Sequence, residues 1–86
     1  MVRKSEFPET SATTKVVAET VAEEMRRRGM SQNRLAKLIE KSQSYVSTRT
    51  RGEQSWTIDD VDAIAKALGL PNGFVIFDRA RGLDAR

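Results

Sequence analysis

Residues Ser31 to Gly52 read SQNRLAKLIEKSQSYVSTRTRG, and the fold turns on this stretch. Two short helical patterns abut within it. Leu35, Ala36, Leu38 and Ile39 give the first a buried side, while the second carries Val46 on a surface that is otherwise Gln, Ser, Thr, Tyr and Arg. The second helix is too polar to lie in a core. A rigid helix that turns hydrogen-bonding side chains and arginine outward suits the major groove of DNA, which is wide enough to admit it.

The flanking sequence supplies the helices on which such a pair would rest. Upstream, Thr10 and Ser11 are candidate caps, and Val17, Val21 and Met25 recur every four residues with Ala18 and Ala22 beside them, as one apolar stripe does. Arg26 to Arg28 complement the dipole at that helix's C-terminal end, and Gly29 ends it. Ser31 and Ser42 can cap the next two helices. Downstream, Gly52 stops the polar helix, and Thr57-Ile-Asp-Asp60 has the form of a capping box with Asp in place of Glu. Ile58, Val61, Ile64, Ala65 and Leu68 make the apolar face of a fourth helix that Gly69 ends, and Phe74 to Phe77 predict a short fifth. The expected fold is all-α, a compact bundle of four to five short helices. The expected organisation is a flexible N-terminal arm over 1–9, one domain over 10–78 with its motif at 31–52, and a basic tail over 79–86.

Composition narrows the chemistry. Eighty-six residues suffice for one small domain and leave no room for the deep cleft most enzymes build. With no cysteine and no histidine, disulfides, thiolate metal sites and the usual zinc and general-base chemistry are excluded. No catalytic residue, metal site or cofactor is expected, and the scattered carboxylates do not suggest an enzyme. No apolar run is long enough for a membrane span, and the start MVRKSEFPET lacks a signal-peptide core, so a cytoplasmic protein is expected. The net charge of +3 is mild, but Arg26, Arg27, Arg28, Arg34, Lys37, Lys41, Arg49 and Arg51 cluster in the first two-thirds.

Ser31-Gln32, Leu35-Ala36, Ser42, Val46-Ser47 and Arg51-Gly52 stand in the register of one known pattern. The stretch resembles the helix-turn-helix of the lambda-repressor-like (Cro/repressor, XRE-type) family, and the resemblance extends over about Val16 to Leu70. It implies a sequence-specific double-stranded DNA-binding regulator, a repressor of phage or prokaryotic type. The N-terminal residues of the second, recognition helix of such a motif reach base edges. This assigns base reading to Gln43, Ser44, Ser47 and Thr48, where Gln can bond adenine N6 and N7 together and the Thr methyl can meet a thymine methyl. Candidates for the DNA backbone are Gln32, Arg34, Lys37, Lys41, Tyr45, Arg49 and Arg51; such contacts set register and carry no sequence information. In phage repressors with this glutamine pair, the first typically bonds a phosphate and braces the second, here Gln32 and Gln43. Tyr45 has two readings, a phosphate donor or a half-buried ring. Arg49 occupies a position that is usually apolar, and its stem can cross the core while its guanidinium reaches a phosphate.

Two positions depart from the family. Glu40 stands where the turn usually has Gly, so it adopts a left-handed conformation at a cost or the turn differs. Thr50 replaces the usual Glu before Arg51, which puts an internal polar contact in question. Trp56 is expected in the core. Phe74 to Phe77 either cap the core or form a homodimer seam, as the terminal helix does in some family members. Two other functions remain compatible: an antitoxin that represses its own operon and binds a toxin, and an interaction module that has lost DNA binding.

Overall fold

A computed structural model of the protein describes residues 9–84 and consists of five helices: α1 (Ala12–Arg27), α2 (Gln32–Leu38), α3 (Gln43–Thr50), α4 (Ile58–Ala67) and α5 (Phe74–Asp84). The expected all-α bundle is the observed one. The expected arm over 1–9 lies outside the described residues, apart from Glu9.

Local chemistry starts and stops four of these helices. Ser11, Ser31, Ser42 and Thr57 each accept a hydrogen bond from the backbone N–H three residues on, at 3.0, 3.1, 3.0 and 3.0 Å. Asp60 completes the box at α4 by accepting from the Thr57 N–H at 3.2 Å, so aspartate serves where glutamate is preferred. The C-terminal ends share one closure, in which the residue after the cap is left-handed and the next N–H reaches five residues back. Met30 reaches Met25, Lys41 reaches Ala36, Glu53 reaches Thr48 and Leu70 reaches Ala65, at 2.8–3.1 Å. The left-handed residue is Gly29, Gly52 or Gly69 in three cases and Glu40, with φ 59°, in the fourth. The turn therefore keeps the family geometry, and Glu40 bears its strain.

The core gathers Val17, Val21 and Met25 from α1, Leu35, Ala36 and Ile39 from α2 and its cap, Val46 from α3, and Val61, Ile64, Ala65 and Leu68 from α4 with its cap; Trp56, Ile76 and Ala80 complete it. Two expected core residues are not in it. Leu38 is 50% exposed because it lies about 100° round the helix from Ile39, at the margin of the buried arc. Ile58 is 76% exposed at the first turn of α4, the outer end of its stripe.

The apolar run over 74–77 divides. Ile76 is fully buried and Phe77 packs against the core, while Phe74 is 76% exposed. The helix also runs on past the expected boundary at 78. Ala80 is buried, and Arg79, expected in a basic tail, pairs with the buried Glu24 of α1. Glu24 also accepts from Arg28 at 2.5 Å, and Arg28 donates Nε to the Leu68 carbonyl at 2.9 Å. This cluster locks α1 to α5 and to the end of α4. Gly73 lets α5 start close to α4, since a Cβ there would stand 3.1 Å from the Asp62 backbone. Its N–H bonds Asp62 Oδ1 at 3.0 Å.

Candidate nucleic-acid interface

The helix pair α2–α3 is built from its inner side outward. Leu35, Ala36 and Val46 are buried between and beneath the two helices. Val46 is wholly inside, and of the polar remainder of α3 only Gln43 and Ser44 are fully exposed. Gln43 and Ser44 are exposed on its first turn, just after the Ser42 cap, and among the described residues neither side chain makes a hydrogen bond. Ser47 and Thr48, one turn on, are half-buried and already engaged. Ser47 Oγ accepts from Arg51 Nη1, and Thr48 Oγ1 donates to the Ser44 carbonyl at 2.8 Å. The Thr48 hydroxyl proton is therefore committed to its own helix.

The seven expected backbone-contact residues separate into two groups. Arg34 and Lys37 are exposed on α2, and Lys41 is exposed in the turn with its ammonium 5.0 Å from the Tyr45 ring centroid. The other four have partners within the protein, Arg51 while remaining exposed. Gln32 donates Nε2 to Thr50 Oγ1 at 3.2 Å, so it braces Thr50 rather than Gln43. Thr50 thus makes an internal contact despite replacing the usual glutamate. Arg51 pairs with Glu53 at 3.0 Å while also donating to Ser47.

Arg49 does not reach outward. Its guanidinium carbon lies 3.4 Å from the Tyr45 ring centroid, and Nη1 donates to the Tyr45 carbonyl at 3.3 Å. The flat cation stacks on the ring because Tyr45 is the aromatic surface one turn back on the same helix. The Tyr45 hydroxyl donates to Asp60 Oδ2 at 2.6 Å, and the residue is half-buried. The bond to the Asp60 carboxylate, with burial adding to it, raises the phenol above its usual range.

Sequence reasoning missed Asp60 and Glu53 as partners of these side chains. Asp60 was visible only as a helix cap. Nothing in the spacing of 45 and 60 marks the second role of its carboxylate.

A short helix that packs across a second one through a tight left-handed turn, with an unengaged polar first turn, defines the helix-turn-helix class of DNA-binding regulators. The chain belongs to that family, since the helix-turn-helix family model HTH_3 matches residues 21–71, more than half of it. No curated protein matches the chain by sequence. Among solved structures it is similar to the clp gene regulator ClgR from Corynebacterium glutamicum, with 20% identity and a TM-score of 0.80 over 91% of this chain and 81% of that one. It is also similar to the restriction-modification controller protein C.Esp1396I. A tyrosine-to-phenylalanine mutant of that protein gives 21% identity and a TM-score of 0.80 over 90% of this chain and 96% of that one. The wild type gives 24% and 0.75 over 84% and 92%. At these identities the likeness is one of fold. No helix among the described residues is long and apolar enough to cross a membrane.

Proposed function

We propose that this protein is a sequence-specific regulator of transcription that reads an operator in the major groove with the first turn of α3, and that it acts as a prokaryotic or phage repressor. The observation that carries this is the pairing of an unengaged Gln43 and Ser44 with a Val46 that is wholly buried on the opposite side of the same helix. Gln43 and Ser44 supply base contacts, Arg34, Lys37 and Lys41 supply phosphate contacts, and Ser47 and Thr48 are second-turn contacts whose hydroxyls are partly spent. Repression follows from occupying the operator and excluding polymerase. Selection of bound duplexes from a random pool tests the reading, and recovery of no consensus would refute it.

The repressor is proposed to be a homodimer. Phe74 is among the most exposed large apolar side chains, and it opens α5 beside half-buried Val75 and Phe77. A second copy covering this face would make a two-fold reader, matched to a palindromic site. Sedimentation equilibrium of the parent and of Phe74→Asp tests the seam. A parent that stays monomeric, or a variant that still dimerises, would refute it.

A further inference from the structure

Gln32 ties the last turn of α3 to α2 through one side-chain hydrogen bond to Thr50, Val46 seats its middle, and the Arg51 contacts with Ser47 and Glu53 stay within residues 47–53. Apolar packing at one central residue is a pivot and does not fix direction. A helix of eight residues is about 12 Å long, so a yaw of about 10° around its centre carries the first turn about 1 Å. A bidentate base contact fails over such a distance, because functional side chains must be held to within about 0.5 Å. A contact near the first turn therefore narrows its direction further.

Tyr45, next after Gln43 and Ser44, is the side chain placed to do so. Its hydroxyl meets Asp60 at 2.6 Å, the Arg49 guanidinium covers its ring at 3.4 Å, and Trp56 meets it edge-on with ring centroids 6.2 Å apart and planes at 62°. Asp60 is itself held on both sides. It is 5% exposed, and its Oδ2 also accepts the Thr57 N–H at 3.2 Å in the α4 capping box. Among the described residues this is the side-chain hydrogen bond that ties α3 to α4.

We propose that Asp60 is a positioning residue for DNA discrimination: through the Tyr45 hydroxyl it sets the direction of the reading turn, without touching DNA. The proposal rests on the reading of α3 as the DNA-reading helix. Binding energy from phosphates reached by α2 does not depend on that direction, whereas base contacts from Gln43 and Ser44 do. Loss of the link should therefore lower specific affinity and spare the rest.

The test is a double-mutant cycle over Tyr45→Phe and Asp60→Ala, with Asp60→Asn as the conservative variant, each measured on the selected duplex and on random duplex. Tyr45→Phe leaves the α4 cap intact, and Asp60→Asn keeps an acceptor for both donors. Expected is about a three- to tenfold loss on the selected site for Tyr45→Phe and for Asp60→Ala, the reach of one hydrogen bond. The double variant should lose no more than either single, Asp60→Asn should bind nearly as the parent, and random duplex should be bound equally by all. Additive losses, or a loss with Tyr45→Phe but none with Asp60→Ala, mean that the hydroxyl touches DNA directly and overturn the proposal. The chain has one tyrosine, so its absorbance titration reports the link in solution. A phenol of ordinary acidity in the parent, unchanged in Asp60→Ala, would also overturn it. A parent that prefers no duplex overturns the DNA-reading assignment and this proposal with it, whereas a selective parent with an unaffected Tyr45→Phe overturns this proposal alone.

Discussion

Replacing Glu40 with glycine should stabilise the protein. The residue sits at φ 59°, in a closure shared with Gly29, Gly52 and Gly69. Its hydrogen bonds are already those of that closure, with Lys41 N–H on the Ala36 carbonyl at 2.9 Å and Glu40 N–H on the Lys37 carbonyl at 3.3 Å. Glycine can therefore enter without any rearrangement. Holding a residue with a Cβ in the left-handed region costs about 1–2 kcal/mol. Glycine gives back about 0.4–1 kcal/mol through the greater freedom of the unfolded chain. The central difference is a net gain of about 0.8 kcal/mol, which for a domain of this size raises the thermal midpoint by about 3–6 °C. Thermal unfolding followed by circular dichroism, with urea titration at constant m-value as a second measure, reads it directly. Glu40→Ala is the control, since it removes the carboxylate and keeps the Cβ, so its midpoint should stay near the parent's. Gly69→Ala runs the experiment backwards at φ 81°, where an added Cβ meets nothing within 4 Å and only backbone strain remains. An unchanged or lowered midpoint for Glu40→Gly, or an equal gain from Glu40→Ala, would refute the strain argument and point to the charge.

Further outcomes are expected elsewhere. Glu24→Ala strands Arg28 and Arg79 beside a buried hole and should cost about 2–3 kcal/mol in urea unfolding, below the full penalty for a broken buried pair because Arg79 is 40% exposed. Gln43→Ala should lose about 1–3 kcal/mol on the selected duplex and little on random duplex; equal losses would remove Gln43 as a reader. Arg34→Ala should weaken every sequence alike and flatten the salt dependence of binding by roughly one unit of slope. Stability should also fall in alkali. Asp60 keeps the Tyr45 phenol protonated above its ordinary value of 10.0, so the folded state holds this proton more tightly than the unfolded chain. That contribution is full below the ordinary value and is lost as pH rises through the folded one, and Tyr45→Phe should abolish this part of the decline in alkaline melting curves.

Much of the helix pair was legible because its determinants are local. A serine three residues before the N–H it caps, an apolar stripe at helical spacing and a glycine after a basic last turn act within one or two turns of chain, so Ser31, Ser42, Thr57 and Val46 could be placed from spacing alone. Gln43 and Ser44 were assigned through the family resemblance, which puts base contacts on the first turn of the second helix.

Other features depended on pairs that only folding brings together. Glu24 and Arg79 are 55 residues apart, and their pairing turned an expected tail into the second half of α5. Gln32 and Thr50, and Tyr45 and Asp60, meet across helices. The second pair engages the Tyr45 hydroxyl, and Arg49 stacks on the same ring, so two side chains expected at phosphates have partners within the fold. Within 74–77, composition marked four apolar side chains, but the rotation of α5 against α1 and α4 buried Ile76 and left Phe74 in water. By itself the sequence determined which segments become helices and where the first four of them end, since those depend on neighbours along the chain. Which polar groups remain unengaged on the surface was decided by the tertiary structure, because a side chain's hydrogen bonds go to whatever partner packing sets within reach.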